Sequence, residues 1–535
     1  MPVFSWTGFE GENRATQPKL LPDTVGTLSR NQKPGRGDLR PWKQPSSVAS
    51  VPAGSRTIYR MGRDVVSDSS YWLSWPTIVH AVRGFDSDDT TERTYYTGDG
   101  APKVTDNTIA LASTPYPTAW RPLGVPAPIG APTVTTDSGT WTGTNTTNAF
   151  VYAYVNDWGW ESAPSPPSSL LTRPNDSTAT ITNFSAVPAG NYHITAIRIY
   201  KSASGTTTDG FYFHREIAIG TAATTDDNRD LGELLPTAAW LTPPSDLTWL
   251  TAMWNGMMAG ISGNAVRFCE PFTHYAWPIA YDALPADAKP VALGVVGQQL
   301  LVLTTGRPLL VAGSSPDSLD QIPLEFNQAC VAPRSVVSLG YGVAWASEDG
   351  LCLYTSDGPR ILTAGVMLRE DWQALNPSSI VGCLYEGRYI GSFDDGTGRK
   401  GFVIDPTNPK GMYFLDTGYS AMLFDTLRDG LYVLDGTDVK KWDSGSAMTV
   451  KAKSKLFYSP RPINFAAAEV IADAYPLTFR FYADGSLCHT QTVTGQNPFR
   501  LPANYLAQSF QLEIESAFPV LEVNVGTSVA ELASV

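Results

Sequence analysis

The chain has 535 residues, 42% hydrophobic and 17% charged, with a net charge of −13; there is apolar material for several packed cores and a pattern unlike that of a disordered chain. An acidic body repels phosphates, which excludes a protein built to grip nucleic acid over its whole surface. With 46 glycines and 41 prolines, the composition suits an all-β chain with many turns, of roughly three or four domains at about 150 residues each.

The opening MPVFSWTGFEGENRATQ lacks the basic start and apolar run of a secretory signal. No stretch approaches the roughly 18–20 apolar residues that cross a bilayer. The five cysteines are scattered and form no CxxC pair, and Cys352 and Cys383 lie inside apolar strands as small hydrophobes. The expectation is a chain made in a reducing cytoplasm, without a disulfide framework and without a membrane segment.

Residues 1–54 show little periodicity and read as an extended N-terminal arm. Residues 1–63 hold ten Lys or Arg against four Asp or Glu, which leaves −19 on the remainder. Arg30, Lys33, Arg36, Arg40, Trp42 and Lys43 are the candidate residues for an arm that lies on an acidic neighbouring subunit; a solvated loop is the alternative. Strand patterns begin at Arg56 with RTIYRMG, YWLSWP, IVHAVRGF, RTYYTGDG and PKVTD, so residues 55–114 are assigned to the first propeller blade or blades. The proline-crowded stretch 115–132 forbids a central strand and reads as a linker.

Residues 133–240 change texture. Alternation in AFVYAYVNDWGWES, TATITNF, TAIRIYKS and FYFHREIAIG suits a small immunoglobulin-like sandwich that is similar to a fibronectin type III module. Residues 241–446 then carry the main propeller text. SVVSLGYGVAWASEDGLCLYTSDGPRILT (335–363), IVGCLYEGRYIGSFDDGTGRKGFVIDP (380–406) and MYFLDTGYSAMLFDTLRDGLYVLDGTDVKKW (412–442) are short apolar strands cut by Asp-Gly and Gly turns, the pattern of β-meander blades. Residues 447–535 hold longer strands such as LTFRFYADG, where Leu477, Phe479 and Phe481 face one way; a C-terminal β-sandwich or platform is expected. The short helix candidates are 367–375 and 465–474. The predicted fold class is therefore all-β: a β-propeller interrupted by a fibronectin III/immunoglobulin-like sandwich, with a C-terminal β-sandwich or platform.

Chemical motifs are weak. GTGRKG (396–401) matches GxGxxG, but it joins two strands instead of opening a helix, so it reads as a hairpin turn. Asp394 with Asp395, the group Asp226, Asp227, Asn228 and Asp230, and Asp435 with Asp438 lack calcium-loop spacing and read as turn residues. The five histidines lie in five separate segments, and no zinc spacing or nucleophile elbow occurs. SEDGLCLY (347–354) echoes a sialidase Asp-box without meeting its form. The RGD at 36–38 reads as accidental. The 15 tryptophans read as core rather than as a sugar platform. No catalytic, cofactor-binding or metal residue is assigned.

Three features together resemble the nozzle (tail tubular) proteins of short-tailed bacteriophages: the leader LLPDTVGTLSRNQKPGRGDLRPW (20–42), a propeller interrupted by a fibronectin-like insertion that returns through LGELLPT (231–237), and the closing FRLP…EIES…SVAEL run. The resemblance implies a non-enzymatic virion tail protein made in the bacterial host. It implies a homo-oligomeric ring, a hexamer, below the adaptor of the head-to-tail connection. Tail fibres or receptor-binding proteins and ejection proteins would be its partners, and double-stranded DNA would pass through it without specific binding. A carbohydrate-binding or polysaccharide-degrading virion propeller is the alternative, as is a head decoration or adaptor protein.

Overall fold

The computed structural model describes residues 4–62, 67–86, 88–203, 210–285, 288–313 and 315–532. The chain is all-β. Among the described residues no helix is longer than the five residues of Arg369–Gln373, and no helix is long and apolar enough to cross a membrane. Two compact units divide it: Met1–Pro76, Asp287–Leu310 and Pro323–Val535 form the first, Thr77–Ala286 and Val311–Ile322 the second.

The first unit is built from blades. Ala332–Ser338, Gly342–Ala346, Leu351–Thr355 and Gly358–Ile361 form one antiparallel meander. Val381–Tyr385, Arg388–Asp394, Arg399–Ile404 and Tyr413–Leu415 form the next. Ala421–Asp425, Gly430–Asp435 and Asp438–Lys441 follow, then the hairpin Thr57–Arg60 with Trp72–Trp75. The leading strands Pro290–Val296, Ala332–Ser338, Val381–Tyr385, Ala421–Asp425 and Thr57–Arg60 lie side by side in that order. This is how propeller blades bury their faces against one another. Ile58 and Trp72 of one blade share a core with Ala421, Tyr432 and Leu434 of its neighbour. Turn chemistry sets the registers: Tyr385 pairs with Arg388 across Glu386 (φ +48°) and Gly387 (φ +72°), the two left-handed residues of a tight hairpin. GTGRKG is likewise a hairpin, with Asp394 paired to Arg399.

The N-terminal segment is not an extended arm, and this corrects the reading of residues 1–54. Phe4–Thr7 pairs with Val520–Gly526. Leu28–Arg30 sits between Tyr413–Leu415, which it meets in parallel, and Val450–Lys453, which it meets antiparallel. Blade and C-terminal strands thereby become one ten-stranded sheet. Ser46–Ser50 pairs with Asp438–Lys441 and supplies the fourth strand of that blade. The physical reason is edge protection: each segment covers backbone donors and acceptors that would otherwise be bare.

The C-terminal strands make two sheets over a shared core of Trp6, Phe465, Phe479, Phe481, Phe510 and Val523. Residues 465–474, expected as helix, contain instead the strand Ala467–Ala472, paired along Val520–Gly526. The other candidate contains the helix Arg369–Gln373, anchored by buried Trp372.

In the second unit, His80–Arg83, Thr94–Thr97, Lys103–Thr105 and Arg121–Pro122 form a four-stranded sheet. The proline-rich stretch thus contributes a two-residue edge strand. Blade text at 55–114 is shared between two sheets, because the hairpin Thr57–Trp75 belongs to the first unit. Thr248–Ala252, Met258–Ser262 and Ala265–Phe268 form a further sheet. Between them the insertion holds the sheets Thr133–Thr136/Ala179–Thr182/Ala223–Asp226, Asn145–Asn148/Leu171–Pro174 and Phe150–Asn156/Ile194–Ser202/Phe211–Ala218.

Candidate functional site

The basic N-terminal residues are tied into their own chain. Glu12, 2% exposed, accepts from Arg14 Nε at 2.5 Å and Arg30 Nη1 at 2.7 Å, and both guanidinium groups lie on the Phe414 ring. Lys33 pairs with Asp443 at 2.6 Å and Glu386 at 3.0 Å and lies over Trp42. Burial opposes its charge, but the two carboxylates outweigh it and hold Lys33 above the ordinary lysine range. Arg40 pairs with Asp38 at 2.8 Å. Trp42 is buried edge-on against Trp442, and the Lys43 backbone N–H donates to Asp443 Oδ1 at 2.9 Å. Of the six candidates Arg36 and Lys43 are exposed, Arg36 on a bend and Lys43 beside its backbone bond to Asp443.

A second ionic cluster joins two blades. Arg60 Nη1 donates to Asp68 Oδ1 at 3.1 Å and Tyr432 Oη at 3.0 Å, while Lys441 reaches Asp68 Oδ2 at 2.8 Å. Burial pushes the Asp68 carboxyl up; its bonds from Lys441, Tyr432 and Arg60 more than reverse this and hold it below the usual range. Both Asp68 oxygens and the Tyr432 hydroxyl are bonded, which suits a clamp between the two blades.

At the heart of the insertion Asp226 is fully buried, bonded to Arg173 and, at 2.9 Å, to Lys201. His214 Nε2 lies 3.5 Å from Asp226 Oδ1, and neither ring nitrogen has a hydrogen bond. Burial pushes His214 down to about 4. His214, Asp226 and Asp227 are close enough to share a metal ion. The donor set does not suit one, because two cations already neutralise Asp226 and Asp227 is paired with Arg215 and Arg229. The other acidic groups weighed in the sequence hold turns: Asp394 accepts from the Gly396 N–H, Asp395 pairs with Lys400, and Asp435 pairs with Lys440. Cys269, Cys330, Cys352 and Cys383 are buried free thiols pushed up to about 12 by burial.

A cleft of about 540 Å³ lies within the second unit, walled by Phe85, Asp86, Arg93, Tyr95, Phe272 and Tyr275. Its floor is an aromatic stack: Trp160 lies parallel to Tyr275 at 4.8 Å, and Tyr95 meets His274 edge-on at 4.9 Å. The Arg93 guanidinium lies over Trp158 at 4.4 Å, its Nε is buried without a hydrogen bond, and no carboxylate among the described residues is within ion-pairing distance. Arg121, bidentate to Asp157, covers Trp158 at 4.0 Å. Phe272 is 73% exposed on a left-handed turn at φ +56°, a conformation that costs a bulky residue about 1–3 kcal/mol. It is held there because Gly256 O accepts from the Phe272 N–H at 2.9 Å and faces His274 Nε2 at 3.2 Å. The Phe272 ring rests on Gly256, where any Cβ would fall within 2.5 Å of it. Burial pushes His274 down to about 4, so the ring stays neutral. Sequence reading missed this site. Its walls come from segments far apart in the chain, and the one local signal was the aromatic-dense turn PFTHYAW.

No protein-family model matches the chain, and no curated protein does. Among solved structures it is similar to the extracellular domain of a hybrid two-component system from B. thetaiotaomicron, at 10% identity over 90% of this chain and 58% of that one, with a TM-score of 0.26. It is also similar to AztD from Citrobacter koseri, at 13% identity over 70% and 99% with a TM-score of 0.27. A third is PorZ, a surface component of the type-IX secretion system of Porphyromonas gingivalis, at 11% identity over 86% and 77% with a TM-score of 0.24. The chain spans a little over half the length of the first of these. Likenesses this weak carry no argument about activity.

Proposed function

We propose that the chain is a structural component of a bacteriophage tail, a nozzle-type protein that forms a homo-oligomeric ring through which genomic DNA leaves the particle. The observation that carries this reading is the disposition of charge. The net charge is −13, and Arg14, Arg30, Lys33 and Arg40 of the N-terminal segment are paired with carboxylates of the same chain. A wall with few free cations releases few counterions from DNA, so the duplex slides past instead of sticking. Ion-pair clusters that join neighbouring blades, such as Arg60–Asp68–Lys441, fit a load-bearing scaffold.

The test is electron microscopy of the purified full-length protein and of particles labelled at this chain. A ring at the distal tail is the expected result. Labelling of the head shell would favour a decoration protein, and labelling just below the portal an adaptor. A monomer free of the particle would overturn the proposal.

A further inference from the structure

We infer that the cleft of the second unit binds a neutral saccharide, with a pyranose ring against Phe272 and its hydroxyls held by Asp86 and Arg93. This goes beyond the proposed structural role and does not depend on it.

A sugar presents an apolar C–H face and a rim of hydroxyls that both donate and accept. A site for it needs an aromatic plane beside a carboxylate and a guanidinium. The cleft has that set, and its volume of about 540 Å³ lies in the range of small-ligand sites, roughly 300–1,000 Å³. Phe272 is the plane: a large apolar side chain that is exposed and held on a left-handed backbone by two bonds to one carbonyl. Asp86 is the acceptor, since its Oδ1 takes the Asp88 N–H at 2.9 Å while Oδ2 has no partner among the described residues. Arg93 is the donor, a guanidinium that forms no ion pair within 4 Å among the described residues and lies over two tryptophans.

Charge selects among ligands. Asp86 and Asp89 stand against a single arginine, so a phosphate or a uronate would meet net repulsion. Both oxygens of Asp89 are already taken by the N–H groups of Thr91 and Arg93, which keeps it ionised and unable to serve as a general acid.

The test is titration of the full-length chain, by calorimetry and saturation-transfer NMR, with maltotriose, cellotriose and mannotriose. A digalacturonate, inorganic phosphate and a proline-rich peptide serve as competing probes. Expected is saturable binding of at least one neutral trisaccharide, weakened about tenfold or more by Phe272→Ala and clearly weakened by Asp86→Asn. Ile129→Ala, an exposed residue outside the cleft, should bind as the parent does. If Phe272→Ala misfolds, Asp86→Asn, a change at an exposed side chain, decides. Failure of every neutral trisaccharide, equal binding by the parent and Asp86→Asn, or binding of the charged or peptide probes alone would overturn the inference.

Discussion

Charges in this protein are consumed where they are buried, and Asp226 shows what that means energetically. Arg173 and Lys201 are desolvated with it, so removing the carboxylate leaves two buried cations uncompensated. Asp226→Ala should cost about 3–5 kcal/mol, read as a lower unfolding transition of the insertion. The two buried histidines give a pH dependence. Burial pushes His214 and His274 down to about 4 in the native state, against an ordinary value near 6.5. Above pH 6.5 both states are neutral and stability is unaffected. Between 6.5 and 4 the unfolded chain takes up protons that the native chain refuses, so stability falls, by up to about 3 kcal/mol for each histidine. Urea midpoints measured from pH 8 to 4 should decline through that window. The decline should be shallower in His214→Gln. A flat profile would show that the rings are solvated.

At the scale of elements, the N-terminal strands carry a prediction that a free arm would not. Trp6 is 1% exposed in the C-terminal core, so Trp6→Ala should cost about 3–5 kcal/mol. Deleting residues 1–50 should expose the edge of Asp438–Lys441, separate Tyr413–Leu415 from Val450–Lys453, and yield aggregated chain; a stable, monodisperse truncation would contradict the interlock. The central blades were legible because their signals are local. Asp-Gly and Glu-Gly turns mark hairpins, and Leu477–Ala483 alternates buried and half-buried without a break. The N-terminal strands were not legible. They are two to five residues long, too short for a period, and Leu28–Arg30 finds its partners at 413–415 and 450–453. Ala467–Ala472 was misread because an alanine-rich run favours helix in isolation, whereas pairing with Val520–Gly526 decides the outcome. The cleft escaped for a related reason: Arg93, Trp160 and Phe272 become neighbours only in three dimensions, and the strain at Phe272 is a property of φ that no composition reveals.

At the scale of the whole molecule, a chain of short sheets with a net charge of −13 is proposed to act as a wall. Such a protein should show no turnover of polysaccharide even if the cleft holds a sugar. It should also bind double-stranded DNA weakly at physiological salt, without the steep salt dependence of proteins that contact many phosphates. The most direct test is the mass of the full-length protein in solution, measured by light scattering and checked by class averages of the same sample. A closed ring of about six chains of 57.8 kDa each, with an open centre, is the expected result; a monodisperse monomer at micromolar concentration would contradict the proposed tail role.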